Sequence, residues 1–403
     1  MLAAKLRQRG DDKAAPLLNT EMADRMVETL GSLNGIALKF GQSMALSQDM
    51  QPEAVKKLLY QMFSNAPSLN FSAIREVLRA ELGQDPLGVF KEFEPEPFAA
   101  ASLGQVHRAT LQSGEVVAVK VQYPKAAQTL RHDLNNLASV MRTAGLGLNL
   151  FDEKGYIDEF QKQFSEELDY SLERQRLEHF RNLLDPWPDL MVPRTYPNVS
   201  TSRVLVTELL QGKTLTEICA ERDEYSSAER YRIGEQLTRA IYGPFLTSRT
   251  MHGDCHPGNF VTLPDGRLGV LDLGCMKVFS PAFWQSYRRT IQAALDGDFS
   301  QVLEITAQAG FHIQVSDEQA RSLLLDLSHI VCRPFRGDYD FGTCKIREDV
   351  TALVRQRPQD FLRVRPPAEG IFFFRSIVGL SDILRTLGSS GDFRTTFIDV
   401  MRK

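Results

Sequence analysis

A chain of 403 residues and 45.4 kDa is long enough for one two-lobed domain or for two ordinary domains. Its 43% hydrophobic and 24% charged residues are typical of a soluble globular protein, and its net charge of −4 argues against a nucleic-acid partner, because such binders usually carry a basic excess. The five scattered cysteines contain no C-x-x-C pair, which disfavours disulfides and favours a reducing, cytoplasmic compartment. We find no apolar run long enough to form a transmembrane segment.

The N-terminal part of the chain, residues 1–90, is predicted to be a helical extension. Apolar residues recur at helical spacing over Met22–Phe40, and further helical stretches follow at about Pro52–Met62 and Phe71–Leu82. The two prolines within Glu92–Phe98 then end helix formation.

Residues 91–210 are predicted to form a small lobe that carries a β-sheet. Two β-rich runs, Gln105–Leu111 and Glu115–Gln122, flank a polar turn with a glycine, and this pattern is typical of a hairpin. Helical periodicity over Leu130–Met141 and Asp152–Leu184 predicts inserted helices in this lobe.

Residues 211–403 are predicted to form a larger, mostly helical lobe. A short hairpin between Asn259 and Gly274 is the exception to the helical pattern. A sheet-bearing lobe followed by a helical lobe predicts the α+β class.

The first chemical motif combines HGDCHPGNF with VLDLG, around the predicted hairpin of the larger lobe. Asn259 precedes the first strand and Asp272 follows the second, so both can face the same point from neighbouring strand ends. Their amide and carboxylate oxygens suit Mg²⁺, which prefers oxygen ligands. Asp254 could accept a proton from an attacking hydroxyl or position it, as in phosphoryl transfer. The alternative is that Asp254 forms an ordinary turn and His252 is a core histidine.

A zinc site built from the same region is a second alternative. Its ligands would be His252, Cys255, His256 and Cys275. Because Cys255 and His256 are adjacent in the chain, joint ligation in one tetrahedral site is disfavoured.

The second motif, FAAASLGQVH followed by VVAVK, resembles a phosphate-binding loop and the lysine strand that follows it. Lys120 lies in an apolar strand and needs an acidic partner if it is buried. An acidic segment with Glu166, Glu167, Asp169 and Glu173 offers one, although Lys120 could instead lie on an edge strand without a partner. The candidate nucleotide-binding residues of the loop are Ala99, Ala100, Ala101, Ser102, Gly104 and Val106.

Alanines replace glycines at two places in this loop. Glycine lets the backbone approach a phosphate closely, whereas a Cβ restricts that approach. Ala99 and Ala101 therefore predict a stiffer loop and weaker positioning of the γ-phosphate, unless the alanines simply begin a packed strand.

The β-branched run Arg203–Leu209 leads to the segment between the two lobes. A kinase holds adenine there through backbone groups, so Glu208 and Leu210 are candidate adenine contacts. Backbone recognition leaves little trace in the side chains.

Four motifs in this order resemble the UbiB/AarF-type atypical kinases, a protein-kinase-like family associated with ubiquinone and other isoprenoid lipids. They are KFGQ (Lys39–Gln42), AAASLGQV (Ala99–Val106), EELDYSLE (Glu166–Glu173) and HGDCHPGNF with LDLG. The segment FFFRSIVGL also looks like the C-terminal pattern of the family. The HGD-x-HP-x-N string alone also occurs in aminoglycoside- and choline-kinase-like phosphotransferases, which lack KFGQ and the alanine loop.

The resemblance implies a bilobal protein-kinase-like fold whose N-terminal extension covers the site. It assigns Lys39 and Gln42 to the catalytic region, together with Glu167 and Asp169 of the E-x-D element. Lys39 is expected to contact this element, and Lys120 is expected to pair with Glu173 or Glu167.

The family likeness also implies ATP and Mg²⁺ as cofactors, slow ATP turnover and suppressed protein phosphorylation. The expected partner is a lipid-like molecule or a lipid-modifying enzyme, and peripheral contact with a membrane stays open. Two further functions remain open: a soluble phosphotransferase of the aminoglycoside or choline-kinase type, and a nucleotide-binding pseudokinase scaffold without chemistry.

Overall fold

A computed structural model describes most of the sheet-bearing and helical regions of the chain. The described residues are 69–101, 103–127, 162, 165–313, 317–361 and 363–403. The helices predicted at Met22–Phe40, Pro52–Met62 and Leu130–Met141 lie outside them. All described residues belong to one compact unit made of residues 67–130 and 148–403.

The described residues form short strands and longer helices, which we number in chain order. The strands are β1 (Phe90–Phe93), β2 (Ala99–Ala101), β3 (Gly104–Leu111), β4 (Val116–Gln122), β5 (Leu190–Met191), β6 (Val204–Glu208), β7 (Lys213–Thr214), β8 (Thr250–His252), β9 (Phe260–Thr262), β10 (Leu268–Val270), β11 (Met276–Val278), β12 (Asp338–Asp340) and β13 (Ser390–Asp392). The helices are α1 (Phe71–Leu82), α2 (Pro86–Val89), α3 (Tyr170–Leu184), α4 (Leu215–Ala220), α5 (Ser227–Ser248), α6 (Pro281–Asp296), α7 (Val302–Gln308), α8 (Glu318–Val331), α9 (Ile346–Gln356), α10 (Pro358–Phe361), α11 (Gly370–Leu387) and α12 (Phe393–Arg402).

An antiparallel sheet forms the smaller lobe, in the order β1-β3-β4-β6 with β2 paired to β3. The predicted hairpin is confirmed, because β3 and β4 pair from Gly104 opposite Gln122 to Thr110 opposite Val116. Gly114 turns the chain between them with a φ of 99°, a conformation that glycine adopts without strain.

Helix α1 packs on this sheet. Asn70 caps its N-terminus by accepting the N–H of Ala73, and Gly83 ends it in the left-handed conformation. Ile74 and Leu78 are fully buried in one apolar cluster with the valines of β4. These contacts join α1 to the sheet of the smaller lobe.

The larger lobe is built around α5, whose start is fixed by reciprocal hydrogen bonds between Ser226 and Glu229. Its apolar residues share a second, larger cluster with α6, α11 and α12. A four-stranded sheet, β5-β10-β9-β7, lies in this lobe and contains the predicted β9–β10 hairpin. The predicted α+β class and the two-lobed architecture are therefore confirmed.

The sequence predicts helical structure over Asp152–Leu184, and in the described part of this range the helix is interrupted at Asp169. Asp169 has an extended backbone, with φ −115° and ψ 95°, and its side chain accepts the N–H of Ser171. A new helix, α3, therefore begins at Tyr170, because an aspartate in this conformation caps a helix rather than continuing it. Among the described residues, no helix combines the length and the apolar character needed to cross a membrane.

Candidate functional site

Lys120 and Glu173 form an ion pair between the sheet and helix α3. Lys120 lies in β4 opposite Val106 of β3, and cross-strand neighbours point to the same face. Its Nζ donates to both carboxylate oxygens of Glu173, at 2.7 and 2.9 Å. The structure thus pairs Lys120 with Glu173, one of the two glutamates that the sequence left open. Glu167 is also buried but precedes the start of α3.

Asp272 approaches the same ammonium from the larger lobe. Its Oδ2 lies 3.0 Å from Lys120 Nζ, and its Oδ1 accepts the N–H of Gly274 at 2.8 Å. The Lys120 side chain is only 16% exposed. Burial acts to lower the pKa of Lys120, but Asp272 and Glu173 raise it, and the net shift is upward. Lys120 therefore stays charged and joins the two lobes at this point.

Asp254 and Asn259 are brought together by the loop after β8. Asn259 ends a 3₁₀ turn, and its Nδ2 donates to the backbone oxygen of Asp254 at 3.0 Å and to its Oδ2 at 3.4 Å. Leu271 donates its N–H to the backbone oxygen of Asn259 at 2.9 Å, which places the neighbouring Asp272 beside this loop. The three residues that the sequence singled out therefore converge on one end of the β9–β10 hairpin.

His252 holds the backbone of the Asp254 loop through a hydrogen bond. It is fully buried, and its Nδ1 accepts the N–H of Asp254 at 3.1 Å. Burial lowers the pKa of His252, so that its neutral form is favoured in the folded state. The core-histidine alternative from the sequence is consistent with this geometry.

Arg375 is not among the predicted site residues, yet its side chain reaches Asp254. Arg375 lies on α11, is 9% exposed, and donates from Nη2 to Asp254 Oδ1 at 2.8 Å. Burial acts to lower the pKa of Arg375, but the charge of Asp254 raises it, and the net shift is upward. The segment FFFRSIVGL was noted only for its family pattern, and nothing in its spacing points to Asp254.

The alanine segment forms the short strand β2. Ala99 pairs with Val106 and Ala101 with Gly104, so the segment is an edge strand of the sheet and not an open loop. A Cβ on Gly104 would lie 2.1 Å from the backbone oxygen of Val121, which leaves room for glycine only. Ala99 and Ala100 are exposed.

The segment between the lobes begins at the end of β6. The N–H of Glu208 donates to the backbone oxygen of Arg194 at 2.8 Å, and the Glu208 side chain accepts the N–H of Arg194 at 3.2 Å. Leu210 follows two residues later, close to Gly269 of β10. The backbone N–H of Glu208 is therefore engaged within the protein, and its role as an adenine contact stays a prediction.

Four further residues are predicted to belong to the site. Asp169 is exposed and caps α3. Lys39, Gln42 and Ser102 lie outside the described residues.

The donor set at the hairpin fits Mg²⁺ better than zinc. Asp272 and Asn259 supply a carboxylate and an amide oxygen, the ligands that Mg²⁺ prefers. His252 Nδ1 is engaged by Asp254, and His256 is exposed with its Nδ1 accepting the N–H of Gly258 at 3.1 Å. Across the part of the chain that the structure describes, no three His, Cys, Asp or Glu side chains are grouped to hold a metal ion.

Comparison with known protein families gives one match over most of the described region. The model of the ABC1 atypical kinase-like domain matches residues 61–306. Among curated proteins, the chain is 32% identical over 320 residues to the atypical kinase coq-8, mitochondrial, of Caenorhabditis elegans, covering 77% of this chain and 41% of that protein. It is 30% identical over 372 residues to the atypical kinase COQ8B, mitochondrial, of Rattus norvegicus, covering 91% of this chain and 69% of that protein.

A solved structure resembles the chain as well. The complex of Rv3197 with erythromycin from Mycobacterium tuberculosis aligns with a TM-score of 0.64 and 25% identity, over 98% of this chain and 96% of that one. The curated relatives are longer, and the chain spans less than half of the Caenorhabditis elegans protein.

Proposed function

Because the chain belongs to the ABC1/AarF atypical kinase-like family, also called the UbiB family, we propose that it binds Mg-ATP and transfers or releases the γ-phosphate. The observation that carries this proposal is the position of Lys120, held by Glu173 and Asp272 at the junction of the two lobes. A kinase uses a strand lysine paired with a helix glutamate to hold nucleotide phosphates, and a carboxylate after the hairpin for the metal. Lys120, Glu173 and Asp272 support the proposal, because they match these parts in residue type and contact one another.

Each residue has a distinct proposed role. Asp272 and Asn259 would hold Mg²⁺, which supplies charge neutralisation for the phosphates. Lys120 would bind the phosphates as a point charge. Asp254, oriented by Arg375 and Asn259, would position the attacking hydroxyl or water and accept its proton, an effect typically worth about 10²–10⁴-fold in rate.

The acceptor of the phosphate is the finer part of the proposal. We propose slow ATP turnover or transfer to a lipid-like molecule in ubiquinone or other isoprenoid-lipid metabolism, without phosphorylation of proteins. Support comes from the KFGQ motif and the alanine segment in the sequence, and from the names of the relatives as atypical kinases. We also propose a cytoplasmic location, because all five cysteines are free thiols, as a reducing compartment would keep them.

The first experiment measures Mg-ATP binding by calorimetry for the wild-type chain and for Asp272→Asn. The variant is expected to lose measurable Mg-dependent affinity, because an amide is a weaker metal ligand than a carboxylate. Asp265→Asn is the matched control, since Asp265 lies exposed in the turn of the same hairpin and pairs only with Arg267 at 2.8 Å among the described residues. Equal Mg-ATP affinity of the wild type and Asp272→Asn would contradict the proposal.

A second experiment identifies the acceptor. The purified chain is incubated with γ-labelled Mg-ATP, a total lipid extract and a mixture of soluble amino and choline-type alcohols, and mass spectrometry follows the label. Label released as phosphate or attached to a lipid supports the proposed function. Label on a soluble alcohol indicates a phosphotransferase of the aminoglycoside or choline-kinase type. Unchanged phosphate release by Asp254→Asn indicates a nucleotide-binding scaffold.

A further inference from the structure

Tyr170 packs its ring against the Lys120 ammonium, a contact that the sequence motifs do not predict. The centre of the ring lies 5.0 Å from Lys120 Nζ, which is within the range of a cation–π interaction. Tyr170 is 2% exposed, so water does not screen this contact. Lys120 therefore has an aromatic neighbour in addition to its two carboxylates.

The position of the ring is fixed by the start of helix α3. Tyr170 is the first residue of α3, directly after the cap at Asp169, and its N–H donates to the backbone oxygen of Ser202 at 2.9 Å. Glu173 follows three residues later and therefore lies on the same face of the helix. The ring and the glutamate thus reach the ammonium as one rigid unit.

The hydroxyl of Tyr170 donates to neither Lys120 nor Glu173 in the described part of the chain. It is buried and has no hydrogen-bond partner among the residues that the structure describes. Burial raises the pKa of Tyr170, so the hydroxyl stays protonated at neutral pH and adds no negative charge. What faces Lys120 is therefore a neutral aromatic surface.

We propose that Tyr170 is a positioning residue, whose ring holds the Lys120 ammonium against α3 in the place where it meets nucleotide phosphates. An aromatic face attracts a cation through its quadrupole and carries no net charge. It can therefore stabilise the ammonium without repelling a phosphate. A further carboxylate at this position would repel the phosphate. The link to nucleotide rests on the proposed function, whereas the contact between Tyr170 and Lys120 does not.

The test replaces Tyr170 by phenylalanine and by phenylalanines with one, two or three ring fluorines, incorporated into the full-length chain. Fluorination weakens the ring quadrupole with little change in ring shape. Because the Tyr170 hydroxyl has no hydrogen-bond partner among the described residues, Tyr170→Phe is expected to keep the Mg-ATP affinity of the wild type. The trifluoro ring is expected to weaken binding by about tenfold, with the mono- and difluoro rings between.

The same series measured without nucleotide separates this inference from the proposed function. The unfolding temperature is expected to fall stepwise with fluorination, by about 1–2 °C for the trifluoro ring. In a Lys120→Met background the series should be flat, because the cation is gone. Equal unfolding temperatures for the phenylalanine and trifluoro variants would overturn the inference. A Tyr170→Phe protein that loses as much Mg-ATP affinity as the trifluoro variant would overturn it as well. If the wild type does not bind Mg-ATP, the proposed function fails while the unfolding series still decides this inference.

Discussion

Arg375 and Asp254 are joined by a hydrogen-bonded ion pair of 2.8 Å, although they lie 121 residues apart in the chain. Their side chains are only 10% and 18% exposed. The pair connects α11, near the end of the described chain, to the loop after β8. Ser376 strengthens the same connection, because its hydroxyl donates to the backbone oxygen of His252 at 2.8 Å. The orientation of the proposed proton acceptor thus depends on α11.

Replacing Arg375 by methionine is expected to reduce both stability and phosphate turnover. Removing one partner of a buried ion pair typically costs about 3–5 kcal/mol. Thermal unfolding and steady-state turnover check this, and kcat should fall more than the apparent affinity for Mg-ATP. Lys213→Ala is the control, since the pair of Lys213 with Glu221 is exposed and its loss should barely change the unfolding temperature. An Arg375→Met chain as stable and active as this control would contradict the prediction.

A second prediction concerns Arg176, which ties α3 to the turn after Asp272. Its Nη1 donates to the backbone oxygen of Gly274 at 2.6 Å, and its Nη2 contacts the carboxylate of Glu166. Arg176→Met is expected to loosen α3, and with it the Lys120–Glu173 pair, and to weaken Mg-ATP binding by about tenfold, the size of one or two lost buried hydrogen bonds.

The control for this prediction lies on the same helix. Arg174 is two residues away, is more exposed, and pairs with Glu178 of its own helix at 2.7 Å. Arg174→Met should therefore leave nucleotide affinity nearly unchanged. Equal Mg-ATP affinities of Arg176→Met and Arg174→Met, measured by calorimetry, would show that the position of α3 does not depend on Arg176.

The parts of the site that the sequence could predict are those set by local pattern. The β3–β4 hairpin follows from alternation and a glycine turn, and Asn259 and Asp272 lie at the same end of the β9–β10 hairpin because a short hairpin brings its ends together. The Arg375–Asp254 pair could not be predicted, because its 121-residue separation leaves no local signal.

The start of α3 shows a different limit. An aspartate can either continue a helix or cap one, and Asp169 does the latter. This choice puts Tyr170 and Glu173 on one helix face and leaves Glu167 before the helix. The sequence could name both glutamates as partners of Lys120 but could not choose between them.

A third prediction concerns the paired positions Ala101 and Gly104 at the β2–β3 turn. Gly104→Ala is expected to disturb the sheet and abolish nucleotide binding, since its Cβ would lie 2.1 Å from the backbone oxygen of Val121. Ala101→Gly should instead fold and raise phosphate release or self-phosphorylation, because glycine gives the edge strand more freedom. Circular dichroism and phosphate release check the pair. No change in nucleotide affinity or phosphate transfer for Ala101→Gly would indicate that the alanines are structural only.

The last prediction is a loss of stability in mild acid to which His107 contributes. This side chain is fully buried in the sheet of the smaller lobe. Its Nδ1 lies 2.9 Å from the backbone oxygen of Glu94 and must donate to it, so its Nε2 accepts from the Gln105 amide at 2.9 Å. A second proton on Nε2 would face that amide N–H. Burial lowers the pKa of His107, although the hydrogen bond to the backbone oxygen of Glu94 and the charge of Glu96 raise it, and the net shift is downward.

The sign of the effect follows from this downward shift. Above about pH 6.5 the histidine is neutral in both the folded and the unfolded chain, so its full contribution to stability is present. Below that pH the unfolded chain binds a proton that the folded chain resists, and stability falls by up to about 1.4 kcal/mol per pH unit. Urea unfolding between pH 8 and pH 5.5 should show this slope in the wild type. The slope should shrink in His107→Asn, whose amide can donate to Glu94, and persist in His179→Asn, since His179 is exposed on α3. Equal slopes in His107→Asn and His179→Asn would assign the acid sensitivity to other groups.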